Sequence, residues 1–467
     1  MSEQKANRQQ LACDYIRQNY MDFNRLRYDL IAQKVQVRCA PSLSAPAEDA
    51  ASGYRVEWRG KEHWRYITNA DINTMVCDCC METGANITAK EILTVLNAGS
   101  GYIPRVHPLR EYVTNLQPYT EDQPDWIDFV ASQVRVCDSA SSGVEKFRCS
   151  GVQELRSSGV TSEQVQSATE LSEPLTSGSS ADRLWRICFK KWFVAMVASW
   201  MKDEVVNHQV LVLIGKQGIF KTTWLERLIP PHLRDYCCKL ANATQLNKDD
   251  RLRIAEFGLI NMDELDAMTP RELNAMKSVI TATDVNERVA YGYTKERRVR
   301  LATFCASSNK REFLTDITGN RRWLPFEVES IQNPFFTTLP YDLMYAQARH
   351  LIETDFNYWF DLDDISTLEE HNDSFRAQDS EEQLLPILFD IPAEGKGEFM
   401  TTAQISERLV TYGNIKKPMA LSRLGMVLGA AGYQSTRPKI GGRLIRGWLV
   451  YQRDTDEIAS LKRLLKE

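Results

Sequence analysis

The spacing of apolar and polar positions changes character along the chain. Up to about residue 137, short alternating runs mix with helical spacing. Tyr54-Arg-Val-Glu-Trp-Arg-Gly alternates, which predicts a strand running into a turn. Thr88 stands three residues before Glu91 at the head of an apolar-spaced stretch ending at Asn97, which predicts a capped helix. Over residues 138–182 Ser, Gly, Thr and Glu dominate, and Ser-Gly-Val begins at Ser142, Ser150 and Ser158. Apolar content there is too thin to offset the entropy of ordering, so a flexible linker or insertion is expected. From Leu184 the chain turns strongly apolar. Residues Trp185 to Trp200 read as a buried helix, and Val210-Leu-Val-Leu-Ile-Gly as a central parallel strand. Two more apolar runs, Phe257 to Met262 and Arg300 to Asn309, are separated by helical stretches. Strand alternating with helix predicts an α/β sheet.

Composition narrows this little. The chain has 467 residues, 43% hydrophobic and 25% charged. Those proportions belong to a globular protein and exclude collagen, a coiled-coil rod or a wholly disordered chain. The length suggests roughly three domains at about 150 residues each. No apolar run approaches the roughly 18 residues of a membrane helix, so no membrane contact is expected. The first ten residues lack the apolar core of a secretory signal. The expected location is the cytoplasm, with the eleven cysteines mostly reduced.

Charge matters more in its distribution than in its net value of −5. Residues 340–398 hold 15 acidic and 3 basic side chains, whereas residues 399–467 hold 5 acidic and 12 basic ones. A C-terminal module of about +7 suggests a nucleic-acid contact surface.

The most informative chemistry is Gly215-Lys-Gln-Gly-Ile-Phe-Lys-Thr-Thr, directly after the strand ending at Ile214 and ahead of a helix-like stretch. Strand, glycine-containing loop, Lys-Thr and helix is the context a phosphate-binding loop requires. Backbone N–H groups of Gly215, Gln217, Gly218, Ile219 and Phe220, continuing through Thr223, would form the anion cradle. Lys221 would reach the β- and γ-phosphates of ATP, and the Thr222 hydroxyl would ligate Mg²⁺. Phe220 departs from the pattern, because glycine normally precedes the lysine. Either the loop takes a conformation that Phe tolerates, with Gly218 supplying flexibility, or nucleotide affinity suffers.

Downstream residues complete the set. Asp263 and Glu264 end the second apolar run, placing one carboxylate for a metal and one to position water. Asn309 ends the third run, where an amide can orient the attacking water. Arg321 and Arg322 lie beyond it, and either could stabilise transition-state charge on a neighbouring subunit's nucleotide. Each feature has a bland alternative: an ordinary turn, a solvated acidic pair, a strand-ending Asn, a surface basic pair. The ordered set is more specific than any member.

These motifs, with Met262-Asp-Glu-Leu, Ser307-Ser-Asn and Thr318-Gly-Asn-Arg-Arg-Trp, resemble the virulence-associated protein E (VirE) family. Its members are P-loop ATPases similar to superfamily 3 helicases of prophages and mobile elements. The resemblance covers roughly residues 105–360. It implies an AAA+-like core assembling into a ring, usually a hexamer, with ATP between subunits. It also implies a pore hairpin just before the third strand. Residues 288–300 fit that place, with Lys295, Arg297 and Arg298 as phosphate contacts and tyrosines to stack on single-stranded DNA. A solvated basic hairpin is the alternative. The C-terminal stretch resembles a winged helix. A capped helix begins at Thr401, a second helix, the candidate recognition helix, runs from Leu421 to a Gly, and a strand begins at Arg443 after Gly441-Gly442. Arg437, Lys439 and Arg443 lie on or near the wing facing duplex DNA; a protein-interaction module is the alternative.

The resulting plan has an accessory domain at 1–137, the linker at 138–182, a P-loop ATPase domain at 183–345, an acidic helical connector at 346–398 and a winged-helix-like basic domain at 399–467. The expected function is a DNA-dependent ATPase, a ring helicase or replication initiator. A nucleotide-gated DNA-binding scaffold and a defence or regulatory ATPase acting on protein partners are the rivals. Cys77, Cys79 and Cys80 lack a second ligand pair at zinc spacing, and buried thiols are expected.

Overall fold

The computed structural model describes residues 2–39, 63–97, 103–137, 179–241, 248–287, 295–314, 320–393 and 397–458. The strand expected at 54–60, the tip of the expected pore hairpin and nearly all of the linker stretch lie outside them. The chain forms two compact units, residues 1–311 with 322–370, and residues 312–321 with 371–467.

The first unit begins with α1 (Ser2–Ile16), β1 (Leu26–Asp29), β2 (Lys34–Cys39), β3 (His63–Tyr66), α2 (Asn69–Thr83), α3 (Ala89–Asn97) and β4 (Arg105–Val106). The four strands form one sheet in the order β3-β2-β1-β4. Thr68 and Asp71 cap α2 reciprocally, and Gly84 ends it at φ 65°. Of the three thiols expected to be buried, Cys79 packs in this core beside Ile72, Met75 and Ile92, but Cys80 is half-buried and Cys77 exposed, because successive helix positions point in different directions and only one faces the core.

A larger sheet follows. α4 (Pro108–Asn115), α5 (Trp126–Ala131) and β5 (Val134–Val136) precede the long α6 (Ser180–Met201). This helix starts inside the stretch assigned to the linker, because Ser179 Oγ accepts from the Asp182 N–H at 3.3 Å. Then come β6 (Val210–Ile214), α7 (Lys221–Glu226), β7 (Cys237–Ala241), α8 (Lys248–Glu256), β8 (Leu259–Asp263), α9 (Pro270–Ile280), β9 (Asp284–Glu287), β10 (Glu296–Val299), β11 (Thr303–Ser308), β12 (Trp323–Ile331), α10 (Tyr341–Glu353) and α11 (Leu362–Asp373). The sheet order is β5-β12-β6-β11-β8-β7. β12, β6, β11, β8 and β7 pair in parallel; β5 closes the edge antiparallel to β12. The sheet therefore draws on chain from both sides of the Ser/Gly-rich stretch.

α6 is buried around nearly its whole circumference, which explains its unbroken apolar run. Its tryptophans keep their N–H groups satisfied: Trp185 donates to the Ala131 carbonyl at 3.0 Å and Trp192 to the Phe304 carbonyl at 3.1 Å. Both rings are fully buried, so truncating either would cost roughly 3–5 kcal/mol. That rigid floor supports the sheet edge on which the site below is built.

The second unit holds α12 (Ser380–Leu388), β13 (Phe389–Asp390), β14 (Glu398–Met400), α13 (Thr402–Gly413), α14 (Leu421–Ala430), β15 (Gln434–Thr436), β16 (Lys439–Ile440), β17 (Arg443–Leu444) and β18 (Gly447–Gln452). β18 pairs with β13, β14 and β15. Trp448 and Val450 of β18 share one core with Ile405, Leu409, Leu424 and Leu428 of the two helices. The single strand expected from Arg443 is broken in two. A Cβ at Gly447 would stand 2.5 Å from the Met400 carbonyl oxygen, so the close approach to β14 at the start of β18 requires glycine. Among the described residues no helix is long and apolar enough to cross a membrane.

Candidate functional site

The site lies at the C-terminal ends of β6, β8 and β11. All five residues of β6 are buried, and its register with β11 sets Ile214 beside Ser308. The Gly215 N–H donates to the Ser308 carbonyl at 3.1 Å, which pins the loop where it leaves the sheet. A Cβ at Gly215 would stand 2.7 Å from the Val328 carbonyl oxygen, so close approach to β12 requires glycine.

The loop turns through two left-handed residues, Gly218 at φ 87° and Phe220 at φ 67°, ψ 18°. Phe220 thus adopts the glycine-type conformation itself. That costs on the order of 1–2 kcal/mol. Its ring meets Phe335 edge-on, with centroids 6.0 Å apart, and its carbonyl accepts from the Trp224 N–H at 2.8 Å. Glu264 is also left-handed, at φ 55°, and exposed. Two such residues, neither Gly nor Asn, flank one site, a concentration of strain typical of functional positions.

Lys221 is buried, and its ammonium donates to the carbonyls of Gly215 and Lys216 at 2.8 Å and to Asn309 Oδ1 at 3.1 Å. Burial pulls its pKa below the ordinary lysine value, with Asp263 and Asp266 opposing. Asp263 Oδ1 accepts from the Thr222 hydroxyl at 2.7 Å and the Ser307 hydroxyl at 2.5 Å. Its Oδ2 pairs with Lys239 Nζ at 2.6 Å. Burial works to raise the Asp263 pKa. The hydrogen bonds from Lys239, Ser307 and Thr222 outweigh it, so the carboxyl lies below its usual range and stays ionised. Asn309, exposed just past the tip of β11, also donates its backbone N–H to Asp266 Oδ1 at 3.3 Å.

The structure thus gathers Lys221, Thr222, Asp263 and Asn309 around the 215–220 loop. Arg321 and Arg322 are not among them. They precede Trp323, which pairs with Val210 at the opposite end of β6. Arg321 is exposed, and Arg322 is half-buried. Ser307 and Lys239 carry weight that the sequence did not single out. Lys239 lies in Cys-Cys-Lys-Leu-Ala, a run with no motif; only the parallel register that sets it beside Asn261 brings it within reach of Asp263. Glu226 is a further member. Burial raises its pKa, against Lys239 and the hydrogen bond from Asn261.

The basic residues divide. Arg298 is buried, pairs with Glu256 at 2.8 Å and donates to the Ile31 carbonyl, so the expected open phosphate contact is instead an internal tie. The reason is the alternation of β10, which turns Arg297 outward and Arg298 inward. Arg297 is exposed and pairs with Asp284 at 2.7 Å; Lys295 is exposed. Arg437, Lys439 and Arg443 are all exposed, on or beside the two-stranded β16–β17 hairpin. Its turn, Gly441-Gly442, has φ 56° and 83°, the signs a two-residue hairpin demands.

Residues 160–377 match the family described as the virulence-associated protein E-like domain. The match contains the whole loop and every carboxylate described here, though it begins later than residue 105 and runs past residue 360. No protein of curated function matches the chain. Among solved structures, the A form apo structure of the NrS-1 C-terminal region is similar at 10% identity and a TM-score of 0.38, covering 91% of this chain and 96% of that one. An apo structure of the same region gives 0.39 at the same identity and coverage.

Proposed function

We propose that the chain is a DNA-dependent ATPase of the P-loop class, acting in the cytoplasm in replication of a mobile element or prophage. The observation that carries this is the convergence of Lys221, Thr222 and Asp263 on a glycine-pinned loop at the edge of a parallel sheet. The strand order β12-β6-β11-β8-β7, with the loop strand β6 between β12 and β11, suits an AAA+-like core.

The residues fit a triphosphate and its Mg²⁺. Lys221 spends its ammonium on two main-chain carbonyls, bonds that a phosphate oxygen can replace with gain. Thr222 and Asp263 offer a hydroxyl and an ionised carboxylate in direct contact, the donor set that holds Mg²⁺ in this class. The cation, when bound, neutralises charge developing on the phosphates. Glu264, exposed beside Asp263, and Asn309 would orient the attacking water. Left-handed Phe220 keeps the loop's backbone path, so Phe220→Gly should leave nucleotide affinity within about twofold.

Arg322 precedes Trp323, whose partner Val210 lies four residues, roughly 13 Å, before the end of β6, so it stands farther still from the loop. From there Arg322 does not reach its own Lys221, which supports a reading in which Arg321 or Arg322 serves a neighbouring copy's nucleotide in a ring. In the second unit, α13, α14 and the β16–β17 hairpin suit a winged helix, with Arg437, Lys439 and Arg443 set against duplex phosphate.

The test is ATP turnover with and without single-stranded DNA. Wild type should hydrolyse ATP faster with DNA. Lys221→Ala and Glu264→Gln should each lose at least about a hundredfold, the scale of removing one electrostatic stabiliser. Turnover unchanged by Lys221→Ala would end the proposal.

A further inference from the structure

We infer that Lys239 is a resident counter-ion that makes the Asp263 site refuse a free divalent cation and accept one only when a triphosphate carries it in. This deepens the nucleotide reading above and rests on it. Lys239 Nζ lies 2.6 Å from Asp263 Oδ2, while both hydroxyls, from Thr222 and Ser307, take Oδ1. Three donors from three elements, β7, α7 and β11, therefore occupy both oxygens of a single carboxylate. A cation arriving alone would have to displace an ammonium and would meet a second one at Lys221, buried nearby and fixed by three hydrogen bonds.

Protein ligands would not compensate. Among the described residues no group of three or more His, Cys, Asp or Glu is arranged to hold a metal. A free cation would thus keep mostly water as ligands while facing two positive charges, which is unfavourable at any local dielectric. A triphosphate reverses the balance, because it brings its own negative charge and oxygen ligands.

The two lysines differ in a way that suits this division. The Lys239 side chain is 48% exposed on the edge strand β7, so its ammonium can leave the carboxylate for water at little desolvation cost. Lys221 is 6% exposed and anchored to its own loop. Lys239 is therefore the movable charge and Lys221 the fixed one.

The test titrates Mn²⁺ into the full chain without nucleotide and reads free Mn²⁺ by electron paramagnetic resonance. Wild type and Lys239→Arg should bind no Mn²⁺ at Asp263 in the millimolar range. Lys239→Met and Lys239→Gln should bind at least tenfold more tightly, and Asp263→Asn placed in the Lys239→Met background should abolish the gain. Far-ultraviolet circular dichroism checks that each variant folds. No gain in either neutral variant, or a gain in Lys239→Arg equal to theirs, overturns the inference. Binding of a fluorescent ATP analogue is measured separately. Wild type that binds no nucleotide removes the function proposed above, while the Mn²⁺ comparison still judges Lys239 by itself.

Discussion

The hairpin of β9 and β10 holds its arginines against carboxylates, whereas the hairpin of β16 and β17 holds its cations out in solvent. In the first, the Arg297 side chain is 77% exposed but paired with Asp284, and the Arg298 side chain is 8% exposed and paired with Glu256. Two residues further, Arg300 is buried and donates to the carbonyls of Ala302 and Asn207 at 3.0 and 2.8 Å. In the second, Arg437, Lys439 and Arg443 are exposed. Both segments are basic when counted as letters. Only the second offers most of that charge to an external phosphate.

The lesson is that a cation binds nucleic acid by releasing counter-ions, and a cation already neutralised inside the fold has few to release. Arg298→Ala should break this contrast most visibly. It removes a buried cation from Glu256 and from the Ile31 carbonyl, and should cost roughly 2–4 kcal/mol in urea denaturation, at the lower side of a fully buried pair because Glu256 is 30% exposed. The salt dependence of DNA binding should not move. A stable variant with a weaker salt slope would erase the distinction between the hairpins.

The converse change sharpens it. Replacing Arg437, Lys439 and Arg443 together by Ala should lower the slope of log affinity against log salt by about 2–3 on duplex DNA, at about 0.9 per phosphate contact. Stability should shift by less than about 0.5 kcal/mol per residue. A protein-interaction role for the second unit predicts no change in slope. The smallest effect belongs to Arg297→Ala. An exposed ion pair contributes under about 1 kcal/mol, so thermal unfolding should barely shift, and the salt slope should fall by one contact at most.

The strands β6, β8 and β11 are readable from the sequence because each is a short apolar run in a sheet covered on both faces, and burial writes itself directly into such runs. Lys221, Thr222, Asp263 and Asn309 were readable because each stands at a fixed step after one of those strands. The α13 cap at Thr401 and Gln404 was equally local. Other features were not readable, for a common reason. The place of β5 at the edge of the large sheet, the tie between Arg298 and Glu256, and the pair of Lys239 with Asp263 all join residues distant in the chain. Alternating exposure along β10 also separates Arg297 from Arg298, a difference that requires knowing which face meets the core.

The amino-acid order alone determined where β6, β8 and β11 end and therefore which side chains stand at their tips, because each of these apolar runs is closed by polar neighbours in the chain. At position 220 it left two outcomes open, a loop conformation that Phe tolerates or a loss of nucleotide affinity, and the structure set Phe220 itself in the left-handed conformation. Only the tertiary structure decided the partners. Sheet register brought a lysine from an edge strand onto the carboxylate that the metal would need, and burial turned one arginine of a basic run into an internal support. Electrostatic partnership depends on distance in space, and the chain carries that information only once folded.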